Sequence, residues 1–163
     1  MMSQPLDLIL ALLDDGQPDK ALEAAHRLYQ SQPKDALVNY GCAICHDVLG
    51  QEREAVPYYE YALAQRLAGA ERRIALLGLG SSYRVLGEHD KSVAILQQGL
   101  DEYTDGREFE VFLALTLYSL GDYARAMELL LKNLAETTQS PVLQDYSRAL
   151  LHYSQHLDGA GSP

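Results

Sequence analysis

The stretch Gly41-Cys-Ala-Ile-Cys-His46 carries two thiols and an imidazole in the order Cys-x-x-Cys-His. That spacing is the one through which two thioethers and an axial imidazole hold a c-type haem. The same trio offers zinc two thiolates and one imidazole, one short of the four ligands of a closed structural site. Two further groups invite a chemical reading. Gly78-Leu-Gly-Ser-Ser82 has the glycine content of a phosphate-cradling loop, provided that it follows a strand and opens a helix. His152 and His156 stand four residues apart, which puts both imidazoles on one side of a helix, two metal ligands at most. No Ser-His-Asp or Cys-His-Asp set carries a local signature, so the residue order gives no support to an enzyme.

What these residues can do depends on the elements that hold them. A chain of 163 residues is long enough for one domain that buries roughly 70% of its unfolded surface without staples. Hydrophobic residues make up 47% and charged residues 22%, as in ordinary globular proteins. Thirteen Lys and Arg against 23 Asp and Glu leave a net charge of −10, which repels phosphate backbones and argues against nucleic-acid binding. The acidity sits at the two ends: residues 1–50 carry −4, residues 51–100 carry 0 and residues 101–163 carry −6. The apolar Leu6-Asp-Leu-Ile-Leu-Ala-Leu-Leu13 is interrupted by Asp7 and lacks a preceding Lys or Arg, so it does not read as a signal peptide. No run approaches 18 apolar residues, and two cysteines three residues apart cannot form a disulfide framework. The expectation is a cytoplasmic protein that does not enter a membrane.

Internal repetition sets the architecture. Four apolar segments, ending at Gly16, Gly50, Gly87 and Gly121, are spaced by 34, 37 and 34 residues. Each is followed by a second segment of helical character, as in Pro18-Asp-Lys-Ala-Leu-Glu-Ala-Ala25. A glycine at that point supplies the left-handed residue that ends a helix, and Glu52, Glu88 or Asp122 then favours the positive end of the next one. Five residues after the glycines stand Ala21, Ala55, Ser92 and Ala126; seven before them stand Ile9, Ala43, Gly80 and Ala114. Small columns of this kind let helix axes approach to about 8–10 Å. Ser140 and Pro141 start a last helix, with Val142, Leu143, Tyr146, Leu150, Tyr153 and Leu157 mostly on one face, expected to cap the open end of the stack.

From residue 6 to about 158 the chain resembles a small bacterial family of tetratricopeptide-repeat proteins of unassigned specific function. The resemblance rests on the 34-residue period, the two small columns, Leu79, Gly80 and Tyr83 in the third unit, Tyr59 and Ala62 in the second, and Pro33 at the end of the first. The chain departs from the family in lacking its Trp, in placing Leu28 and Asn133 in a usually small column, and in the extra residues near Leu67-Ala-Gly-Ala70, where the stack is expected to bend or loosen. The resemblance implies an all-α fold, a right-handed superhelical stack of about four helical hairpins plus a C-terminal capping helix. One domain is expected over 1–158, with repeats at about 2–35, 36–70, 73–106 and 107–140, a cap at 141–157 and a flexible tail at 159–163.

The resemblance also implies protein–protein interaction, with no cofactor and with a homodimer as one form. The first helices of the repeats line a concave face in such proteins. The positions from which partners are contacted are here Tyr40, Ile44 and Asp47, then Leu77, Ser81 and Arg84, then Val111, Leu115 and Tyr118. Such a groove is largely apolar and suits an amphipathic or extended segment of a protein partner. In the repeat alignment Cys42, Cys45 and His46 share columns with Leu8, Ala11 and Leu12, so they read as core residues of a helix. Gly78 and Gly80 likewise fall within a helix. The competing expectation is a small-molecule, metal or haem protein built on Cys42, Cys45 and His46 or on the groove.

Overall fold

The computed structural model describes residues 5–158, so the start of the expected first repeat and the tail 159–163 lie outside the described residues. Among the described residues there are ten helices and no strand: α1 Pro5–Asp14, α2 Pro18–Ser31, α3 Ala36–Val48, α4 Glu52–Ala64, α5 Gly69–Val85, α6 His89–Glu102, α7 Arg107–Ser119, α8 Tyr123–Thr137, α9 Pro141–Asp145 and α10 Ser147–Ser154. The first eight form four hairpins, α1/α2, α3/α4, α5/α6 and α7/α8, as the all-α reading requires.

The four closing glycines end the first helices in one way. Gly16, Gly50, Gly87 and Gly121 have φ of 69°, 69°, 79° and 85°, a region that side chains bearing a Cβ rarely adopt. The next residue then donates its N–H back over the glycine: Gln17 to the Leu12 carbonyl, Gln51 to His46, Glu88 to Tyr83 and Asp122 to Leu117, at 2.8–2.9 Å. This bond caps a carbonyl the helix would otherwise leave bare and fixes the turn into the second helix. Local capping adds to it: Asp35 accepts from the Val38 N–H at 3.0 Å and Asp122 from the Arg125 N–H at 3.2 Å.

Successive first helices α1, α3, α5 and α7 pack against one another, while α2, α4 and α6 each pack against the first helices on either side and α8 packs against α7 and α10. The first helices therefore make an inner row and the second helices an outer one. Two buried clusters fill the stack. One runs from Leu6 and Ile9 through Cys42, Ile44 and Tyr59 to Tyr83; the other joins Leu76, Leu96, Phe109, Leu113 and Leu117. Leu63 and Ile95 pack against both, so the stack has one continuous interior.

The extra residues before the third hairpin do not loosen it. Gly69 takes φ 66° and the added residues lengthen α5 to 17 residues, about one turn more than α3 or α7. Leu67 is buried beneath that turn. The turn carries Arg72, which grips Glu102 of α6 with two bonds of 2.7 Å, and Arg73, which reaches Glu108 of α7 at 2.5 Å and Asp105 at 3.0 Å. The bend expected there is a tied joint.

The C-terminal segment is helical but broken at Tyr146, so α10 alone packs on α8. Ser140 sits at the N-cap position with no side-chain cap bond. The break rotates the apolar face: Leu143, Ser147, Leu150 and Leu151 are partly covered and Ser154 is buried, whereas Val142, Tyr146, Tyr153 and Leu157 are exposed. Ser147 secures the contact by donating to the Ala135 carbonyl of α8 at 3.3 Å.

Candidate functional site

The nine residues read as a partner surface lie on α3, α5 and α7, three to each helix. Their depths differ along the stack. Tyr40 and Ile44 of α3 are 2% and 7% exposed and belong to the core, so neither presents a side chain to a partner. The reason is the number of neighbours: α3 is packed by α1, α2, α4 and α5, and every residue from Val38 to His46 is buried. Asp47, Leu77, Ser81, Arg84 and Val111 are half-buried, whereas Leu115 and Tyr118 of α7 are 41% and 64% exposed. Tyr118 stacks obliquely on Tyr123 with ring centroids 4.9 Å apart, so an aromatic pair marks the open end.

Two charged groups stand on this face. Asp47 accepts a 2.9 Å hydrogen bond from the hydroxyl of Tyr59, a fully buried side chain of α4. Burial pushes the Asp47 carboxyl up and the Tyr59 bond partly restores it. The Tyr59 ring reaches this position because residue 78 of α5 is glycine: a Cβ there would lie 2.5 Å from the hydroxyl oxygen. The other group is Arg84. Its Nε is buried without a hydrogen-bond partner, and none of the ion pairs among the described residues includes it. Arg84 and Tyr118 occupy equivalent positions, three residues before Gly87 and Gly121, on the adjacent helices α5 and α7.

The Cys-x-x-Cys-His trio has a different fate. Cys42 and Cys45 are free and fully buried within α3. Burial pushes both thiols up to about 12, which keeps them protonated and unreactive at neutral pH. Thioether formation or metal ligation by these two thiols would require α3 to leave the core. Among the described residues no group of three or more His, Cys, Asp and Glu side chains comes together to hold a metal. His152 and His156 are exposed on α10, and the Nδ1 of His156 is bonded to the His152 carbonyl at 2.7 Å. Gly78 and Gly80 lie in mid-α5, where a phosphate loop cannot form.

On the outer side, α2, α3 and α4 enclose an open cleft of about 590 Å³. His26 and Tyr29 come from α2, Asn39 and His46 from α3, and Glu54, Pro57, Tyr58 and Tyr61 from α4. The Tyr29 and Tyr58 rings meet edge to face at 5.3 Å, and Tyr58 stacks on the His46 ring at 5.6 Å. His46 Nδ1 lies 2.7 Å from Gln51 Oε1, and the Nε2 atoms of His26 and His46 are 3.3 Å apart. Burial, and then the neighbouring His46, lower the pKa of His26. The cleft is hard to foresee because its walls are second helices, outside the columns that define a concave face. The one signal was His46, polar in a column otherwise held by Leu12, Tyr83 and Leu117.

A family model described as "Tetratrico peptide repeat" matches residues 36–157, and a second, "Tetratricopeptide repeat", matches residues 6–52. No curated protein matches the chain. Among solved structures, one titled "Crystal structure of MamA" superposes with TM-score 0.67 at 14% identity, covering 91% of this chain and 92% of the other. A "MamA RS-1 ArsTM double mutant" gives TM-score 0.65 at 14% identity, covering 98% and 99%. TTC0263, a thermophilic TPR protein of Thermus thermophilus, is 23% identical over 91% of this chain and 97% of its own, with TM-score 0.45. At 14% identity the two MamA structures speak for the fold alone. No helix among the described residues is long and apolar enough to cross a membrane. The matched models cover the repeats from α1 to α10, and the chain belongs to the tetratricopeptide-repeat family, whose members are in general protein-interaction scaffolds rather than enzymes.

Proposed function

We propose that the protein is a scaffold that receives a segment of a protein partner at the open, α7 end of its inner face. The observation that carries this reading is Arg84. Its half-buried side chain enters none of the ion pairs among the described residues, and a carboxylate bound at its terminal nitrogens would supply the charge-assisted hydrogen bonds that it lacks. Leu115 and Tyr118 supply exposed apolar surface on the adjacent helix. The segment thus combines an acidic group, a side chain or a chain terminus, with flanking apolar residues. Tyr40 and Ile44 support the floor from within the core, and Asp47, Leu77, Ser81 and Val111 form its half-buried part. The reading includes no cofactor, nucleic acid or membrane, and a cytoplasmic setting.

The test is selection of binding peptides from a random displayed library on the purified protein, followed by affinity measurement with Arg84→Gln and Tyr118→Ala. The selected peptides should carry an acidic residue beside apolar ones, and each substitution should weaken them by about tenfold or more. Peptides without an acidic residue, bound equally by Arg84→Gln, would remove this assignment.

A second copy of the chain is a further partner, favoured by one feature. Tyr123, Met127, Leu130 and Leu134 are exposed on α8 at spacings of four, three and four, the period of a coiled-coil seam. Light scattering after size exclusion should give a dimer that Met127→Glu converts to a monomer; a monomer in the parent at high concentration excludes it.

A further inference from the structure

We infer that His26 and His46 form a two-imidazole chelate for a divalent late transition-metal ion, of the zinc, nickel and copper class, at the floor of the outer cleft. The site lies away from the inner face, so it stands or falls independently of the proposed scaffold surface. Imidazole is a preferred ligand of these ions.

The geometry has three parts. The first is spacing. Two imidazole nitrogens bound about 2.0–2.1 Å from a tetrahedral ion stand roughly 3.3–3.4 Å apart, and the Nε2 atoms of His26 and His46 are separated by 3.3 Å. The second is the tautomer of His46. Its Nδ1 is 2.7 Å from Gln51 Oε1, and an amide oxygen only accepts, so the proton sits on Nδ1 and the Nε2 lone pair is free. A ligating histidine is typically held in this way, its remote N–H given to a carbonyl. The capping bond from Gln51 N–H to the His46 carbonyl, 2.9 Å, anchors that outer partner to the same turn.

The third part is access. Without metal, the neutral pair is a hydrogen bond from His26 Nε2–H to His46 Nε2. Moving the His26 proton to Nδ1 through solvent, with a small rotation of a half-buried ring, turns both lone pairs toward one point. No net proton is released. Water fills the remaining coordination positions from the cleft, since no third His, Cys, Asp or Glu among the described residues converges there. Two ligands give a weak, open site, and the bound ion ties α2 to α3, joining the first repeat to the second.

The test uses the tag-free full chain with His152→Ala and His156→Ala, which removes the competing pair on α10. Titration calorimetry with zinc chloride should show one saturable site, weakened about tenfold or more by His26→Ala and by Gln51→Leu. The thermal midpoint should rise with zinc in the parent and not in His26→Ala. Circular dichroism of the metal-free proteins checks that helicity is retained. Binding absent from the parent, or unchanged in His26→Ala, overturns the inference. An affinity unmoved by Gln51→Leu overturns the assignment of His46 Nε2 as ligand.

Discussion

Gly80 lies in mid-α5 and faces α6 at close range. A Cβ added there would stand 2.6 Å from both Cγ and Cδ2 of Leu96 and 3.4 Å from its Cδ1. Carbon atoms pack at about 3.5–4.0 Å, so the overlap is about 1 Å at two atoms of a fully buried side chain. Relief requires α5 and α6 to separate, which stretches the 2.7 Å bond from the Ser92 hydroxyl to the Gly80 carbonyl and disturbs the 2.9 Å bond between Ser92 and Thr116 of α7. Overpacking of this kind costs about 1–3 kcal/mol. Against it, replacing glycine by alanine in a helix interior gains about 1 kcal/mol.

With two atoms overlapping and two hydrogen bonds tied to the same spacing, the overpacking cost lies toward the upper end. Gly80→Ala should therefore lose about 1–2 kcal/mol, read as a lower urea midpoint of helical ellipticity, or about 2–8 °C in thermal midpoint. Leu96→Ala alone should lose about 2–5 kcal/mol. The double variant should be more stable than the sum of the two single losses predicts, by about 1 kcal/mol or more, because the new Cβ occupies space that Leu96 vacates. A Gly80→Ala protein more stable than the parent, or strict additivity in the cycle, would refute the packing account.

Tyr40→Ala should cost about 3–5 kcal/mol in urea unfolding because the ring is buried, whereas Tyr118→Ala should stay within about 0.5 kcal/mol of the parent; equal effects would contradict the graded inner face. Cys42 and Cys45, with thiols held up to about 12, should react with a disulfide reagent only as fast as the native protein opens and immediately in denaturant; native reaction at free-thiol rates would place them at the surface. The Arg72 fork holds Glu102 down from 4.5 to about 2. A carboxyl lowered by folding contributes stability that is present above 4.5 and lost as pH falls toward 2. After solvent screening the contribution is about 1 kcal/mol, and Arg72→Ala should flatten the fall of the urea midpoint over that window by a like amount.

The fold was legible because its signals are local. Glycines that close four helices in the left-handed conformation, and the small columns at Ala21, Ala55, Ser92, Ala126 and at Ala43, Gly80 and Ala114, report on single turns and single crossings. Depth is not local. An alignment column gives the direction of Tyr40 and Ile44 but not that α1 and α5 close over α3 on either side. The same limit applies at the C-terminus, where the helix is interrupted at Tyr146 and Val142 and Tyr153 face solvent. The residues near Leu67 illustrate a further point: an insertion read as slack becomes an extra turn when it carries charges, Arg72 and Arg73, that reach the next two helices. The cleft required a pairing of His26 with His46, 20 residues apart on helices of different hairpins, for which no column exists.

The gradient of burial along the inner face limits what it can hold. Full burial of one aliphatic or aromatic side chain gains about 1.5–3 kcal/mol, so Leu115 and Tyr118, already partly covered, yield about 3–6 kcal/mol at best. Association costs about 4–15 kcal/mol in lost freedom before any contact is counted. Apolar contact at the open end therefore cannot hold a partner alone, and at the α3 end the buried Tyr40 and Ile44 have no exposed surface to add. The missing free energy must come from a charge-assisted bond at Arg84, from further contacts to the half-buried Leu77 and Val111, or from a second surface engaged at the same time. A single short segment should consequently bind weakly and dissociate fast. Tight binding requires a partner that also reaches beyond the inner face, as a second copy on the α8 seam would.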